Sequence, residues 1–167
     1  MEIRDLYDKD KKLTGKTIYK GEEIPEGNYI IVVLTMIRNS KGEFLIQKRS
    51  KQKNGLYGAT GGHCKTGETG LQGAITEVKE EIGLDVKPEE MKLLHELRED
   101  DKQVFFELYF LQKDIDLNTL KLQEEEVESV EWMSIDRINE LINENLFFPN
   151  HAEEVFRTVD ILEKEGI

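Results

Sequence analysis

The chain has one cysteine, Cys64, in 167 residues, so an intramolecular disulfide is excluded. A reducing, cytoplasmic setting is the expectation that follows. Positive charge is scarce: 23 Lys and Arg face 35 Asp and Glu, for a formal net charge of −12. That balance argues against a nucleic-acid polymer or an anionic membrane as partner, since both want a basic face. It does not oppose a small phosphorylated molecule held by a metal ion and a few local cations. Long apolar runs are missing as well. The longest, from Tyr29 to Ile37, has nine residues, against the roughly 20 needed to span a bilayer. The first residues, MEIRDLYDKDKK, lack the apolar stretch of a signal peptide. With no internal repeat and no low-complexity linker, the length suits one domain around a single sizeable core.

Alternating and helical patterns organise the rest. IRDLYD and KTIYKG flank a polar turn and predict an arm or hairpin over residues 1–27, packed on a main domain of 28–167. Within the arm, Thr14–Thr17 reads TGKT, the end of a phosphate-binding loop, but Asp10 stands where that motif needs its first glycine. NYIIVVLTMIRN, the turn SKG and EFLIQKRS predict a hairpin. The glycine-rich KQKNGLYGATGGHCKTGETG has little periodicity and reads as a loop. MKLLHELRE and QVFFELYFLQ predict paired strands, VESVEWMS another strand, and SIDRINELINEN and HAEEVFRTVDILEKEG two closing helices, the last with Val155, Val159 and Leu162 on one side. The order predicts an α/β/α sandwich with a mixed β-sheet between helices.

The segment between the glycine loop and those strands carries the chemistry. Thr69 and Gln72 fit a capping box, Gly83 fits a left-handed stop, and Leu71, Ala74, Ile75, Val78 and Ile82 form an apolar stripe. This predicted helix also crowds Glu77, Glu80 and Glu81 together. Like charges three and four residues apart cost roughly 0.2–0.5 kcal/mol per pair. Glu77 and Glu81 lie about 40° apart on the helical wheel, and Gly73 leaves the face beside them bare. A solvated acidic face is one reading. The other is a hard-cation site, because Mg²⁺ binds through one or two carboxylates together with water and substrate phosphates.

Gly62, Glu68, Glu77, Val78, Glu80, Glu81, Gly83 and Leu84 resemble the Nudix box, G-x5-E-x7-R-E-U-x-E-E-x-G-U, in eight of its nine specified positions. From about Asn28 onward the chain is similar to a Nudix domain. The resemblance implies an α+β Nudix fold and Mg²⁺-dependent hydrolysis (Mn²⁺ being an alternative) of a diphosphate linkage in a nucleoside diphosphate derivative. It implies Glu77 and Glu81 as metal ligands, Glu80 sharing the site, a carbonyl of Gly61 or Gly62 as a further ligand, and Glu68 as a structural member of the loop. A homodimer is a habit of the family. The departure is Thr76, which stands where the box has Arg, leaving Lys79, Lys65 or Arg49 to supply the missing charge. The general base is either Glu77 or one of Glu124, Glu125 and Glu126, where some members carry an acid. Lys48, Arg49, Lys51 and Lys53 form a basic island before the glycine loop, suited to steering phosphate or simply to a solvated turn. Tyr57 either stacks on a base or packs beneath the loop.

The N-terminal half is also similar to isopentenyl-diphosphate isomerase, which shares the fold and moves a double bond. His63 occupies a matching metal position and is counted with the substrate-binding candidates. Gly61 replaces the isomerase's catalytic cysteine, however, and Ile30 or Tyr29 and Gln103 replace two of its metal ligands. A third reading is a Nudix-type module that binds a ligand without catalysis.

Overall fold

The computed structural model describes residues 1–167. A two-stranded antiparallel hairpin, β1 (Ile3–Tyr7) and β2 (Leu13–Tyr19), precedes a seven-stranded mixed sheet. The sheet comprises β3 (Ile30–Arg38), β4 (Phe44–Arg49), β5 (Tyr57–Gly58), β6 (Thr60–His63), β7 (Lys92–Glu99), β8 (Val104–Gln112) and β9 (Val127–Met133). The helix α1 (Gly70–Ile82) packs on one face, and α2 (Ile135–Asn143) and α3 (Pro149–Glu165) on the other. The α/β/α sandwich read from the sequence is the observed architecture.

β3 and β8 form the parallel spine, in register from Ile30 opposite Val104 to Arg38 opposite Gln112. Because β3 is covered on both faces, it is apolar almost throughout rather than alternating. Its even and odd residues feed different clusters. Leu34 and Met36 join Phe106, Leu108 and Phe110 under α2 and α3, while Val33 and Ile37 meet α1 through Ala74, Val78 and Ile82.

β3 and β4 share the expected turn but hardly pair. Only Arg38 and Phe44 are partnered, after which the two strands diverge. The region read as a structureless loop fills the fork: β5 pairs with β4, β6 pairs with β3, and buried Ala59 carries the chain from one to the other. Two-residue and four-residue strands are too short to leave a periodic trace, and glycine hides what alternation there is.

The hairpin is fastened to this domain. Tyr7 and Tyr29 exchange backbone hydrogen bonds of 2.9 and 2.8 Å. Leu6 and Ile18 pack on Ile30. Lys11 donates to Glu107 at 2.8 Å, and Tyr109 donates to the same carboxylate.

α1 starts and stops where expected, with a capping box at Thr69 and Gln72 and left-handed Gly83 at its end. Its buried face is rotated from the expected stripe. Gly70, Gly73, Glu77 and Glu81 are buried with Ala74, Val78 and Ile82, while Leu71 and Ile75 lie half-buried on the flank. A side chain at Gly73 would run into the Cys64 thiol. We therefore expect Gly73→Ala to lose about 1–3 kcal/mol of stability by overpacking, despite alanine's higher helix propensity. Cys64→Ala added to it should recover much of that loss. Urea unfolding of both variants tests this, and a Gly73→Ala protein as stable as the parent would refute the contact.

Candidate active site

The fork between β3 and β4 opens into a cavity of about 520 Å³. Its chemical end is built by β6 and α1. Cys64 N–H donates to Ile31 in β3 at 3.0 Å, so alternation turns Gly62 into the ladder and Gly61 to the free edge. Gly61 N–H indeed points away from β3, reaching Glu81 Oε1 at 3.3 Å. Its carbonyl faces the same edge, whereas the Gly62 carbonyl belongs to the ladder. Of the two glycines expected as carbonyl ligands, only Gly61 is so oriented. Gly62 contributes an absence: a Cβ there would lie 2.5 Å from the Glu77 carboxyl carbon.

Glu77 and Glu81, one turn apart, are 8% and 6% exposed. Burial pushes Glu77 up to about 7, Lys65 pulling against it and Glu80 adding to it. Burial and the neighbouring Glu77 push Glu81 up to about 8, against hydrogen bonds from Gln47 and Gly61. Lys65 Nζ lies 3.3 Å from Glu77 and 3.2 Å from Glu80, so it supplies the cation that Thr76 cannot. Thr76 takes the other half of the task, its hydroxyl donating to Glu68 at 2.6 Å while Glu68 accepts from Lys65 N–H at 2.8 Å. Glu68 is thus a brace of the loop. Lys79 instead pairs with Asp85.

Gln47 carried no motif and was not anticipated. It is 5% exposed, and its amide nitrogen donates to the Ala59 carbonyl at 3.0 Å and to Glu81 at 3.3 Å. Both partners are acceptors, which fixes the amide and leaves Gln47 Oε1 as a buried oxygen without a partner. Its position on β4 two residues from Arg49 puts both on one face of the strand, but only the fork shows that this face meets α1.

The donors here are all oxygen: two carboxylates, the free-edge carbonyl of Gly61 and the orphaned Gln47 oxygen. That set fits a hard divalent cation. No three His, Cys, Asp or Glu side chains are gathered tightly enough to cage an ion by themselves, so the fit is to an open site that leaves coordination positions for water and phosphate.

The other candidates divide. Glu126 lines the cavity and pairs with Lys53 at 2.9 Å, whereas Glu124 and Glu125 are exposed and do not line it. Arg49 and Lys53 line it; Lys48 is tied to Glu128 at 3.0 Å outside, and Lys51 is exposed in the turn. Strand alternation explains the separation of Arg49 from Lys48. Tyr57 packs against the main core and does not line the cavity. His63 does line it, held neutral by burial and by nearby Arg4, which push it down to about 4. Val32, Leu34, Phe106 and Phe148 give the cavity an apolar wall, with Arg49 stacked 4.5 Å from the Phe148 ring centroid.

The isomerase-like reading finds no support in these positions. Cys64 is buried beneath α1 with its thiol pushed up to about 12 by burial, and it does not line the cavity. Ile30 is core, and Gln103 braces the loop between β2 and β3 by donating to the Pro25 and Asn28 carbonyls.

Comparison with known proteins agrees with the geometry. The NUDIX domain family model matches residues 28–155. An uncharacterised Nudix hydrolase of Listeria monocytogenes is 34% identical over 155 residues, 89% of this chain and 89% of that protein. Phosphatase NudJ of Escherichia coli is 23% identical over 124 residues, 74% of this chain and 80% of that one. Among solved structures, DR0079 from Deinococcus radiodurans superposes with a TM-score of 0.73 at 21% identity, over 93% of this chain and 98% of that one, a likeness of fold.

The raised Glu81 carboxyl has a measurable consequence. Its pKa moves from an ordinary 4.5 to about 8 on folding. Stability from this group is therefore fullest below 4.5 and is lost as pH rises through about 8. In chelator, Glu81→Gln should match the parent near pH 4.5 and exceed it by about 1–3 kcal/mol at pH 8. Denaturant titrations at the two pH values test this, and equal stability at both would contradict the buried charge.

Proposed function

The chain belongs to the Nudix family and is a hydrolase of pyrophosphate bonds, and from that premise we propose that it is a Mg²⁺-dependent diphosphatase acting on a nucleotide or nucleoside diphosphate derivative by water attack at phosphorus. The observation that carries this reading is the pair of buried carboxylates, Glu77 and Glu81, facing a cavity beside an unpaired buried oxygen. Burying two acids side by side is unfavourable unless something positive joins them. Glu77, Glu81 and the Gly61 carbonyl would hold the ion, with Glu80 at the solvent side. Mg²⁺ bound there would neutralise diphosphate charge and lower the pKa of water.

The chain's own groups take the remaining roles. Glu126 would accept the proton of the attacking water, because Glu77 would be committed to the ion and Glu124 and Glu125 do not line the cavity. Arg49 and Lys53 counter phosphate charge from the β4 side. The wall of Val32, Leu34, Phe106 and Phe148 receives the organic portion of the substrate. NudJ is named a phosphatase, a chemistry of the same kind. Residues 1–27 form an arm added to a domain of 28–167. The buried free thiol suits a cytoplasmic setting, and no helix is long and apolar enough to cross a membrane.

In a panel of nucleoside di- and triphosphates, nucleotide sugars and isopentenyl diphosphate, cleavage should occur only when Mg²⁺ is present, releasing phosphate or pyrophosphate from a nucleoside di- or triphosphate, or a nucleoside monophosphate and a sugar phosphate from a nucleotide sugar. Glu81→Gln should abolish turnover and also the rise in melting temperature that Mg²⁺ gives the parent. Turnover in excess chelator or in Glu81→Gln would overturn the assignment. A double-bond shift would favour the isomerase, and binding without product a ligand-binding module. Glu126→Gln should lower kcat by about 10²-fold or more with KM little changed. Steady-state kinetics check this, and an unchanged kcat would remove Glu126 from the role.

A further inference from the structure

Arg4 lies in the N-terminal hairpin, outside the residues matched by the family model. On β1 it faces inward with Leu6, opposite Ile18 of β2. Its side chain is 10% exposed, yet it lines the cavity. A guanidinium carries five N–H donors in a planar fork. Nε donates to Glu2 at 2.7 Å, and the terminal nitrogens make no hydrogen bond within the chain. Neither terminal nitrogen is sealed off from the cavity, so both are open to a ligand that enters it.

The neighbours of Arg4 fix its place beside the acids. The Ile3 carbonyl accepts from Thr66 N–H at 2.8 Å, and Asp5 accepts from the Thr66 hydroxyl at 2.6 Å and from Gly67 N–H at 2.8 Å. Thr66 directly follows Lys65, whose ammonium touches Glu77 and Glu80. Lys20, one residue past β2, also lines the cavity, as does His63.

We propose that Arg4 is a substrate-binding residue whose free fork grips phosphate oxygens of the diphosphate from the hairpin side, opposite Arg49 and Lys53. The inference rests on the diphosphatase reading. A planar fork matches two oxygens of one phosphate, and a buried, charge-assisted pair of this kind is among the strongest polar contacts. The hairpin thus completes the site, and Lys20 adds charge beside the fork.

The test uses the full chain with Mg²⁺ and methylenediphosphonate, a non-hydrolysable diphosphate, followed by calorimetry. Arg4→Met keeps the apolar stem and should weaken binding at least about tenfold; Arg4→Lys keeps the charge without the fork and should fall between. KM for the substrate hydrolysed best in the panel should rise in the same order, with kcat changed less than about threefold. Glu2→Gln separates binding from bracing. If Arg4 merely anchors the hairpin through Glu2, this variant behaves like Arg4→Met; if Arg4 grips phosphate, it binds the probe at least as well as the parent. Probe binding and KM unchanged in Arg4→Met, or Glu2→Gln as impaired as Arg4→Met, would overturn the proposal while leaving the diphosphatase reading intact. A parent that neither binds the probe nor cleaves any diphosphate would overturn both.

Discussion

Two carboxylates one helical turn apart, both turned beneath the edge of a sheet, repel each other and lose hydration together. The rest of this structure is arranged around tolerating that. A side chain at Gly62 would fill the space Glu77 occupies, and one at Gly61 would run into the Val33 carbonyl and Leu34 of β3, so glycine stands at both. The edge must offer donors, so β6 pairs on one side only and spends Gly61 N–H on Glu81. For that edge to exist, β3 and β4 must separate after their turn, and β5 and β6 must be short enough to fit between them. Lys65 and the Gln47 amide relieve part of the charge. Their help is incomplete, and both carboxyls remain raised.

Features that depend on neighbours in sequence were legible beforehand. The capping box at Thr69, the stop at Gly83 and the clustering of Glu77, Glu80 and Glu81 are local, and the resemblance carried by the box set the fold. Features that depend on pairing across the chain were not. β5 and β6 were hidden in a glycine loop. Gln47 looked like one polar residue in a strand, and Arg4 like one charge in a polar arm. Gln47 becomes noticeable only when burial leaves its oxygen without a partner, and Arg4 only when the fold brings the arm to the cavity wall. The replacement for the box arginine was narrowed to three cations, and the distances select Lys65, with a division of labour that residue types alone did not suggest. Thr76 holds Glu68 by a neutral hydroxyl, and Lys65 supplies the charge.

The basic island and the acidic run were each read as a block, and both split on folding. Strands present alternate residues to opposite faces, so Arg49 reaches the cavity and Lys48 is left to pair with Glu128. Of the acidic run, only the residue next to β9 turns inward. A charge run in sequence therefore marks a neighbourhood, and strand geometry decides which members take part.

α1 connects these observations. Its N-terminus abuts buried Glu107, near enough that Gly70 has no room for a side chain, and a negative charge there complements the helix dipole. At the other end, the last carbonyls need donors from outside the helix. Lys121 N–H reaches the Ile82 carbonyl at 3.0 Å, and Gln123 N–H reaches that of Glu81 at 2.9 Å. Gln123 in turn accepts from Glu126 N–H at 2.9 Å. The segment that satisfies the end of the helix is thus the one that delivers Glu126 to the cavity. One helix places two acids by its side chains and the third by its terminal carbonyls, so a shift of α1 moves all three together. This is a reason for fixing both of its ends so firmly.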